Sequence, residues 1–144
     1  MEAGEMARAC ADAMWAVDRA SSGLGMRLVS VEPGRAVLAM TVTESMVNGL
    51  DTAHGGFIFT LADSALAYAS NTHNRRAFAQ HCAVTFVAPG RLGDTLVATS
   101  IERNRTGRSG LYDVTVTRDD GTVIAEFRGH TRAIADPLLP DAKV

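Results

Sequence analysis

The chain of 144 residues has no apolar run of about 18 residues or more, so no membrane-spanning helix is expected. It has only two cysteines, Cys10 and Cys82, which are too few for a disulfide framework and lack metal-ligand spacing. Its formal net charge of −2 at pH 7 argues against a general nucleic-acid binder, whose binding surface would be strongly basic. The acidic N-terminus carries no apolar signal-peptide core. We therefore expect one cytoplasmic domain over residues 1–144, with neither membrane nor nucleic acid as a partner.

Residues 57–69 contain no glycine or proline and are apolar on almost every side, which predicts a buried helix. One narrow polar line interrupts it, because Thr60, Asp63 and Ser64 have the i, i+3, i+4 spacing of one helix face. A carboxylate on a buried helix is costly unless it is paired, hydrated or used in chemistry. Two interpretations of Asp63 stay open at this point. It is either a structural residue, which Thr60 or Ser64 hydrogen-bonds or which simply meets solvent, or a functional carboxylate.

The helix opens on His54-Gly55-Gly56, where a flexible backbone meets unpaired N–H groups that favour developing negative charge. A helix entry that needs only flexible backbone is the alternative. Gly55 and Asp63 are eight positions apart, which is ~12 Å along a helix axis. One reacting carbonyl carbon must lie ~3 Å from both its oxyanion donor and the attacking group. If both residues act on one carbonyl, the site should lie between two antiparallel copies of the helix, in a homodimer.

The remaining sequence alternates strand patterns with turn signals. An N-terminal helix is predicted at about residues 5–20, a core at about 22–134, and a short polar, mobile tail after Asp136-Pro137. Strands are predicted at residues 26–31, 36–43, 79–87, 95–103, 110–117 and 123–134. The apolar phase of the fourth of these strands is Val97, Thr99 and Ile101. The predicted fold class is α+β, with a curved antiparallel sheet wrapped around one long central helix.

Other motifs carry weaker signals. The four histidines show no paired metal-ligand spacing, so no metal site is expected. The sequence has no P-loop, dinucleotide fingerprint or nucleophile elbow. Arg103, Arg105 and Arg108 fall in one short segment beside two glycines. By spacing alone, this segment fits an ordinary solvated loop slightly better than a phosphate-binding loop.

The stretch from Asn48 to Asp63, with His54-Gly55-Gly56 inside it, resembles the hotdog-fold acyl-CoA thioesterases, most of all their phenylacetic-acid-degradation (PaaI) type. The resemblance continues in the same order through residues 84–90, 93–96, 110–114 and 127–130, and it covers residues 22–134. It implies a hotdog fold that pairs into dimers and often into dimers of dimers, which are homotetramers. It also implies hydrolysis of an acyl-CoA thioester to a free acid and coenzyme A, with no cofactor besides the coenzyme A of the substrate.

The resemblance also implies roles for individual residues. Asp63 matches the catalytic carboxylate, acting as general base or as nucleophile. Gly55 matches the glycine whose backbone N–H polarises the thioester carbonyl. Asn48 matches a residue that orients water or substrate, and His54 matches one that supports the oxyanion end or contacts the thioester. Ser64 lies where the family often has a hydroxyl that steadies the water.

Substrate binding is implied more broadly. Gly56 matches the residue that shapes the turn, and the family binds coenzyme A phosphates with basic residues near strand ends. This raises the phosphate-binding interpretation of Arg103, Arg105 and Arg108 to equal standing with the solvated loop.

The implied substrate is phenylacetyl-CoA or a ring-hydroxylated relative. Candidate residues for the acyl pocket, each equally compatible with the core, are Met46, Phe57, Phe59 and Tyr68. Two other functions stay open. One is a hotdog-fold enoyl-thioester hydratase, although hydratases usually pair the aspartate with a nearby catalytic histidine in a pattern that His54 and Asp63 do not follow. The other is a non-catalytic acyl-CoA-binding module.

Overall fold

The computed structural model describes residues 1–139, in which a six-stranded sheet packs around one long helix. The elements are α1 (Ala3–Trp15), α2 (Arg19–Gly23), β1 (Arg27–Glu32), β2 (Arg35–Thr41), α3 (Gly55–Ser70), β3 (Ala77–Phe86), β4 (Thr95–Thr106), β5 (Ser109–Arg118) and β6 (Val123–Ala133). The sheet order is β1-β2-β4-β5-β6-β3, and all neighbouring strands are antiparallel. The edge strands are therefore β1 and β3.

The central helix α3 contacts all six strands. Leu61, Ala65, Leu66 and Ala69 are at most 1% exposed, as expected for a helix that is apolar on almost every side. The sheet approaches α3 closely at Gly129 of β6, where an added Cβ would lie 2.5 Å from Leu66 Cδ2. The predicted α+β hotdog architecture, including the six strands and their order along the chain, is confirmed.

The prediction of one N-terminal helix over residues 5–20 is wrong, because the structure has two. The first ends at Trp15, and Asp18 caps the second by accepting a hydrogen bond from the Ser21 N–H at 3.0 Å. Aspartate is a strong N-cap and a poor helix-interior residue, so the break falls at Asp18 rather than at the later glycines.

The strand β4 buries the opposite phase from the one predicted. Its fully buried residues are Leu96, Ala98 and Ser100, whereas the predicted phase of Val97, Thr99 and Ile101 faces away from the helix. Both phases are partly apolar, so alternation does not choose between them. Pairing with β2 and β5 sets which face meets α3.

The edge strand β3 is the most exposed of the strands beside α3. Cys82 and Val84 are half-buried against the core. Phe78 and Phe86, near its two ends, are 58% and 50% exposed. Exposed aromatic rings on an unpaired strand edge are typical of a surface that meets a partner.

The segment after β6 is held by the loop that follows α3. The Arg76 N–H donates to Asp136 O at 3.0 Å, and the Leu139 N–H donates to Asn74 Oδ1 at 2.7 Å. The tail that is predicted to be mobile is thus hydrogen-bonded as far as Leu139, and residues 140–144 lie outside the described residues. Across residues 1–139, no helix has the length and apolar character needed to cross a bilayer.

Candidate active site

His54 forms the N-cap of α3. Its ring Nδ1 accepts a hydrogen bond from the Gly56 N–H at 3.0 Å, and the backbone N–H of His54 donates to Met46 O at 2.7 Å. A neutral imidazole that accepts at Nδ1 carries its proton on Nε2. The exposed side of the ring therefore presents an N–H donor, and the Gly56 N–H is used within the turn.

Gly55 is the first residue of α3, and no group within residues 1–139 accepts a hydrogen bond from its backbone N–H. Such an N–H lies at the positive end of the helix dipole. The Phe86 ring packs directly on this glycine, because an added Cβ would lie only 2.9 Å from Phe86 Cζ. Both residues line an open groove of about 500 Å³, whose lining is Thr52, Ala53, Gly55, Ile58, Phe86, Val87, Ala88 and Pro89.

Asp63 is half-buried on α3, and neither of the two hydroxyls beside it bonds to it. The Thr60 hydroxyl donates to Gly56 O at 2.8 Å, and the Ser64 hydroxyl lies 2.9 Å from that of Ser21 on α2. This overturns the structural interpretation in which Thr60 or Ser64 hydrogen-bonds the carboxylate. Burial raises the pKa of Asp63 above its ordinary value.

The Asp63 side chain lies on the side of α3 that faces the edge of the sheet. One turn to either side, the Phe59 ring meets the Phe127 ring edge-to-face, with 5.2 Å between ring centroids, and Leu66 packs on Gly129. Both of these partners belong to β6, and only β3 lies beyond β6 in the sheet. Burial raises the pKa of the Cys82 thiol on β3, and the charge of Asp63 raises it further. Asp63 therefore lies next to β3, at the open edge.

Asn48 organises the loop that precedes α3. Its Oδ1 accepts hydrogen bonds from the Leu50 N–H at 2.9 Å, the Thr52 N–H at 3.2 Å and the Thr52 hydroxyl at 3.1 Å. This is the local side-chain-to-backbone bonding typical of asparagine in turns. The carbonyl end of the side chain is thus engaged, and the amide NH₂ is the end left to meet a ligand.

The three arginines of the β4–β5 segment do not converge in one chain. Arg103 donates to Asp113 Oδ2 at 2.9 Å, where Arg128 also binds through two hydrogen bonds of 2.7 and 3.0 Å. The Arg128 guanidinium, together with that of Arg103, lowers the pKa of Asp113. Arg103 is therefore engaged in an ion-pair cluster on the outer face of the sheet.

Arg105 and Arg108 lie at the opposite end of α3 from Gly55. They line a small cavity there together with His73 and Arg75. Arg105 Nε is 4.0 Å from Glu102 Oε1, at the limit of an ion pair. Gly55 and these two arginines are therefore separated by the length of the helix, ~24 Å for its 16 residues.

Sequence reasoning missed the aromatic wall of the Gly55 groove and the thiol beside Asp63. Phe86 and Cys82 contact α3 from β3, and the sequence pattern of β3 alone does not reveal this contact. The one usable signal is the turn sequence Pro89-Gly90, which follows β3 at the point where the loop from Thr52 to Gly55 returns, as shown by the Ala53 N–H to Gly90 O bond of 2.7 Å. Of the candidate acyl-pocket residues, Met46 and Tyr68 are buried in the core.

In the described part of the chain, no three His, Cys, Asp or Glu side chains come together as a metal-ligand group. Acid–base chemistry at a carboxylate and charge stabilisation by a backbone N–H are what this arrangement offers.

Comparison with known proteins gives matches over most of the chain. The model of the thioesterase superfamily matches residues 50–125. The acyl-coenzyme A thioesterase PaaI of Escherichia coli is 39% identical over 132 residues, which is 92% of this chain and 94% of the relative. The solved structure of the E. coli PaaI protein, from the phenylacetic acid degradation operon, has a TM-score of 0.93 and covers 94% of this chain and 99% of that one, at 38% identity.

A protein of Streptococcus mutans solved with acetyl-CoA bound is more distant. It has a TM-score of 0.75 at 26% identity, over 78% of this chain and 90% of that chain. The sequence matches, the confirmed fold and the residues at the start of α3 agree with one another: the chain belongs to the thioesterase superfamily and, within it, to the hotdog-fold acyl-coenzyme A thioesterases of the PaaI type.

Proposed function

We propose that the protein hydrolyses acyl-CoA thioesters at a site formed by Gly55 of one copy of the chain and Asp63 of another. One observation carries the proposal. The same helix presents an N–H donor at its first residue and, eight residues on, a half-buried carboxylate, and neither group has a hydrogen-bond partner within residues 1–139. Both groups are thus free to bind a ligand, and together they supply the oxyanion donor and the carboxylate that thioester hydrolysis needs.

In the proposed reaction, the Asp63 carboxylate takes a proton from water as the water oxygen attacks the thioester carbon. The Gly55 N–H donates to the oxyanion of the tetrahedral intermediate. The carbon–sulfur bond then breaks, and the thiolate of coenzyme A receives the proton from Asp63. In the second route, the carboxylate itself attacks the thioester carbon, and the carbon–sulfur bond breaks to release the thiolate of coenzyme A and leave an anhydride. Water then hydrolyses the anhydride to the free acid and the Asp63 carboxylate, and the proton that this water releases goes to the thiolate. Both routes need ionised Asp63.

The surrounding residues support this chemistry from the turn. The His54 Nε2–H is a second donor available to the oxyanion or the thioester, since Nδ1 is occupied by the Gly56 N–H. The Asn48 amide NH₂ is the end of that side chain available to water or substrate. The Ser64 hydroxyl is hydrogen-bonded to that of Ser21, and it would have to give up this bond in order to hold the attacking water.

The edge position of β3 supports the arrangement of subunits. If β3 of one copy pairs antiparallel with β3 of a second, the two α3 helices also run antiparallel, and each Asp63 approaches the other Gly55. The same two-fold pairing brings Arg105 and Arg108 of one copy toward Gly55 of the other. That end of the site suits the phosphates of coenzyme A, with Arg103 as a more distant candidate. Pairing of two such dimers into a tetramer is the further expectation.

Phenylacetyl-CoA or a ring-hydroxylated analogue is the proposed substrate. The support is the 38% identity and TM-score of 0.93 to the E. coli protein of the phenylacetic acid degradation operon.

No cofactor takes part in either route. A cytoplasmic location, where coenzyme A esters are the available substrates, accords with the free thiols of Cys10 and Cys82.

The test is thiol release from phenylacetyl-, hydroxyphenylacetyl-, benzoyl-, acetyl- and long-chain acyl-CoA by the purified protein. Asp63→Asn keeps the side-chain shape and should reduce turnover about 10²- to 10⁴-fold. Asp119→Asn, in the exposed β5–β6 turn, is the matched control and should leave turnover unchanged. Equal turnover in wild type and Asp63→Asn would overturn the role of the carboxylate. Loss of enoyl absorbance without thiol release would indicate a hydratase, and ester binding without either reaction a binding module.

A further inference from the structure

Phe86 is the largest side chain in the groove beside the unpaired Gly55 N–H. It ends β3, and its ring meets Gly55 through its far edge, since an added Cβ would lie 2.9 Å from Cζ and 3.2 Å from Cε2. Half of the residue nevertheless remains exposed, at 50%. The ring is thus fixed on one side by the backbone and open to the groove on the other.

The groove offers little besides apolar contact. Ile58, at 3% exposed, and Ala53, at 8%, lie deepest, and Val87, Ala88 and Pro89 continue the wall from Phe86. Gly55 lines this groove in contact with the Phe86 ring. A carbonyl that accepts a hydrogen bond from the Gly55 N–H is therefore bound within reach of the Phe86 ring.

We propose that Phe86 is the residue that selects aromatic acyl groups, by stacking its open side against the ring of the acyl chain bound in the Gly55 groove. The inference rests on the proposed thioesterase function and deepens it by naming the specificity residue. Aromatic pairs in edge-to-face or offset arrangements are favoured beyond the area that they bury. An aliphatic acyl chain of the same length gains binding free energy only from the apolar area that it buries. Phe86 should therefore favour aryl over aliphatic acyl groups.

The test compares phenylacetyl-CoA with hexanoyl-CoA, both as substrates and as non-hydrolysable analogues in which a methylene replaces the thioester sulfur. For each protein, the ratio of kcat/KM and the ratio of dissociation constants, measured by calorimetry, are determined. Phe86→Leu should lower the preference for the aryl ester roughly threefold to tenfold in both ratios. Phe86→Tyr retains the ring and should retain the preference.

Val87→Ala is the matched control, because it trims an exposed aliphatic side chain of the same groove. It should weaken both ligands alike and leave the ratios unchanged. An unaltered aryl preference in Phe86→Leu, or no aryl preference in the wild type, would overturn the inference. If the analogues bind with a Phe86-dependent aryl preference but no ester is hydrolysed, the selectivity stands and the proposed hydrolysis fails.

Discussion

At the scale of single residues, Gly55 is constrained by a neighbour rather than by its own backbone. The first position of a helix tolerates most residues, and proline is especially suited to it. His54 has φ −62° and ψ 133°, an extended conformation that also accepts a following proline. Contact with Phe86 is therefore what disfavours a side chain at this position.

This allows the Gly55 N–H to be removed with a matched control. Gly55→Pro and Gly55→Ala both add a Cβ against Phe86, but only proline eliminates the donor. If the N–H binds the oxyanion, kcat of the proline variant should be about 10²- to 10³-fold below that of the alanine variant. Circular dichroism and thermal unfolding should show both variants folded. Equal kcat values in the two would mean that the donor lies elsewhere.

Sequence reasoning singled out Asp63 and Gly55 as candidates because each is anomalous in its own segment. One is a charge in an apolar helix, and the other begins a pair of glycines at a helix start. Phe86 and Cys82 could not be found in this way. They meet α3 only after β3 has paired with β6, and their segment reads as an ordinary strand. Local pattern thus gives the residues of one element, and the contacts between elements need the fold.

At the scale of elements, α2 is a short helix attached to α3 by two polar contacts. Asp18 Oδ1 caps α2 at the Ser21 N–H, and Asp18 Oδ2 accepts from the Tyr68 hydroxyl at 3.0 Å. Ser21 in turn meets Ser64. The carboxylate therefore both begins α2 and fixes it on the helix that carries Asp63.

Asp18→Ala removes the cap and the tyrosine bond together. We expect a loss of about 2 kcal/mol in the free energy of unfolding, about 1 for the cap and about 1 for the hydrogen bond. Asp18→Asn keeps capping ability and should lose less. Asp12→Ala, which removes a surface ion pair to Arg8, is the control and should change stability little. Urea unfolding measures all three, and a loss for Asp18→Ala no greater than the control would contradict the dual role.

The elements themselves were predictable where pattern and length were unambiguous. The period and composition of residues 57–69 predicted α3, and turn residues separated the six strands correctly. The errors occurred where a local sequence feature was compatible with two structures. Asp18 interrupts an otherwise continuous helical pattern, and β4 carries apolar residues on both faces, so only the register with its neighbours decides which phase is buried.

At the scale of the whole molecule, the proposed action of Gly55 and Asp63 on one carbonyl requires a second chain. Along one helix, Gly55 and Asp63 are ~12 Å apart, too far to serve one carbonyl. A two-fold axis near β3 would bring Gly55 of each copy close to Asp63 of the other. Each of the two identical sites would then contain one residue from each copy. An inactive Asp63→Asn chain would then still carry an intact Gly55, and an inactive Gly55→Pro chain an intact Asp63.

Mixing the two inactive variants tests this directly. Equal amounts are unfolded together, refolded and assayed for thiol release. Random pairing makes half of the dimers mixed, and each mixed dimer has one site with both residues intact and one with neither. Activity should therefore return to about a quarter of the wild-type value. Each variant refolded alone should stay inactive. If the residues of one chain serve one site, no pairing restores activity, and a mixture as inactive as its components would refute the shared site while leaving the hydrolysis itself in place.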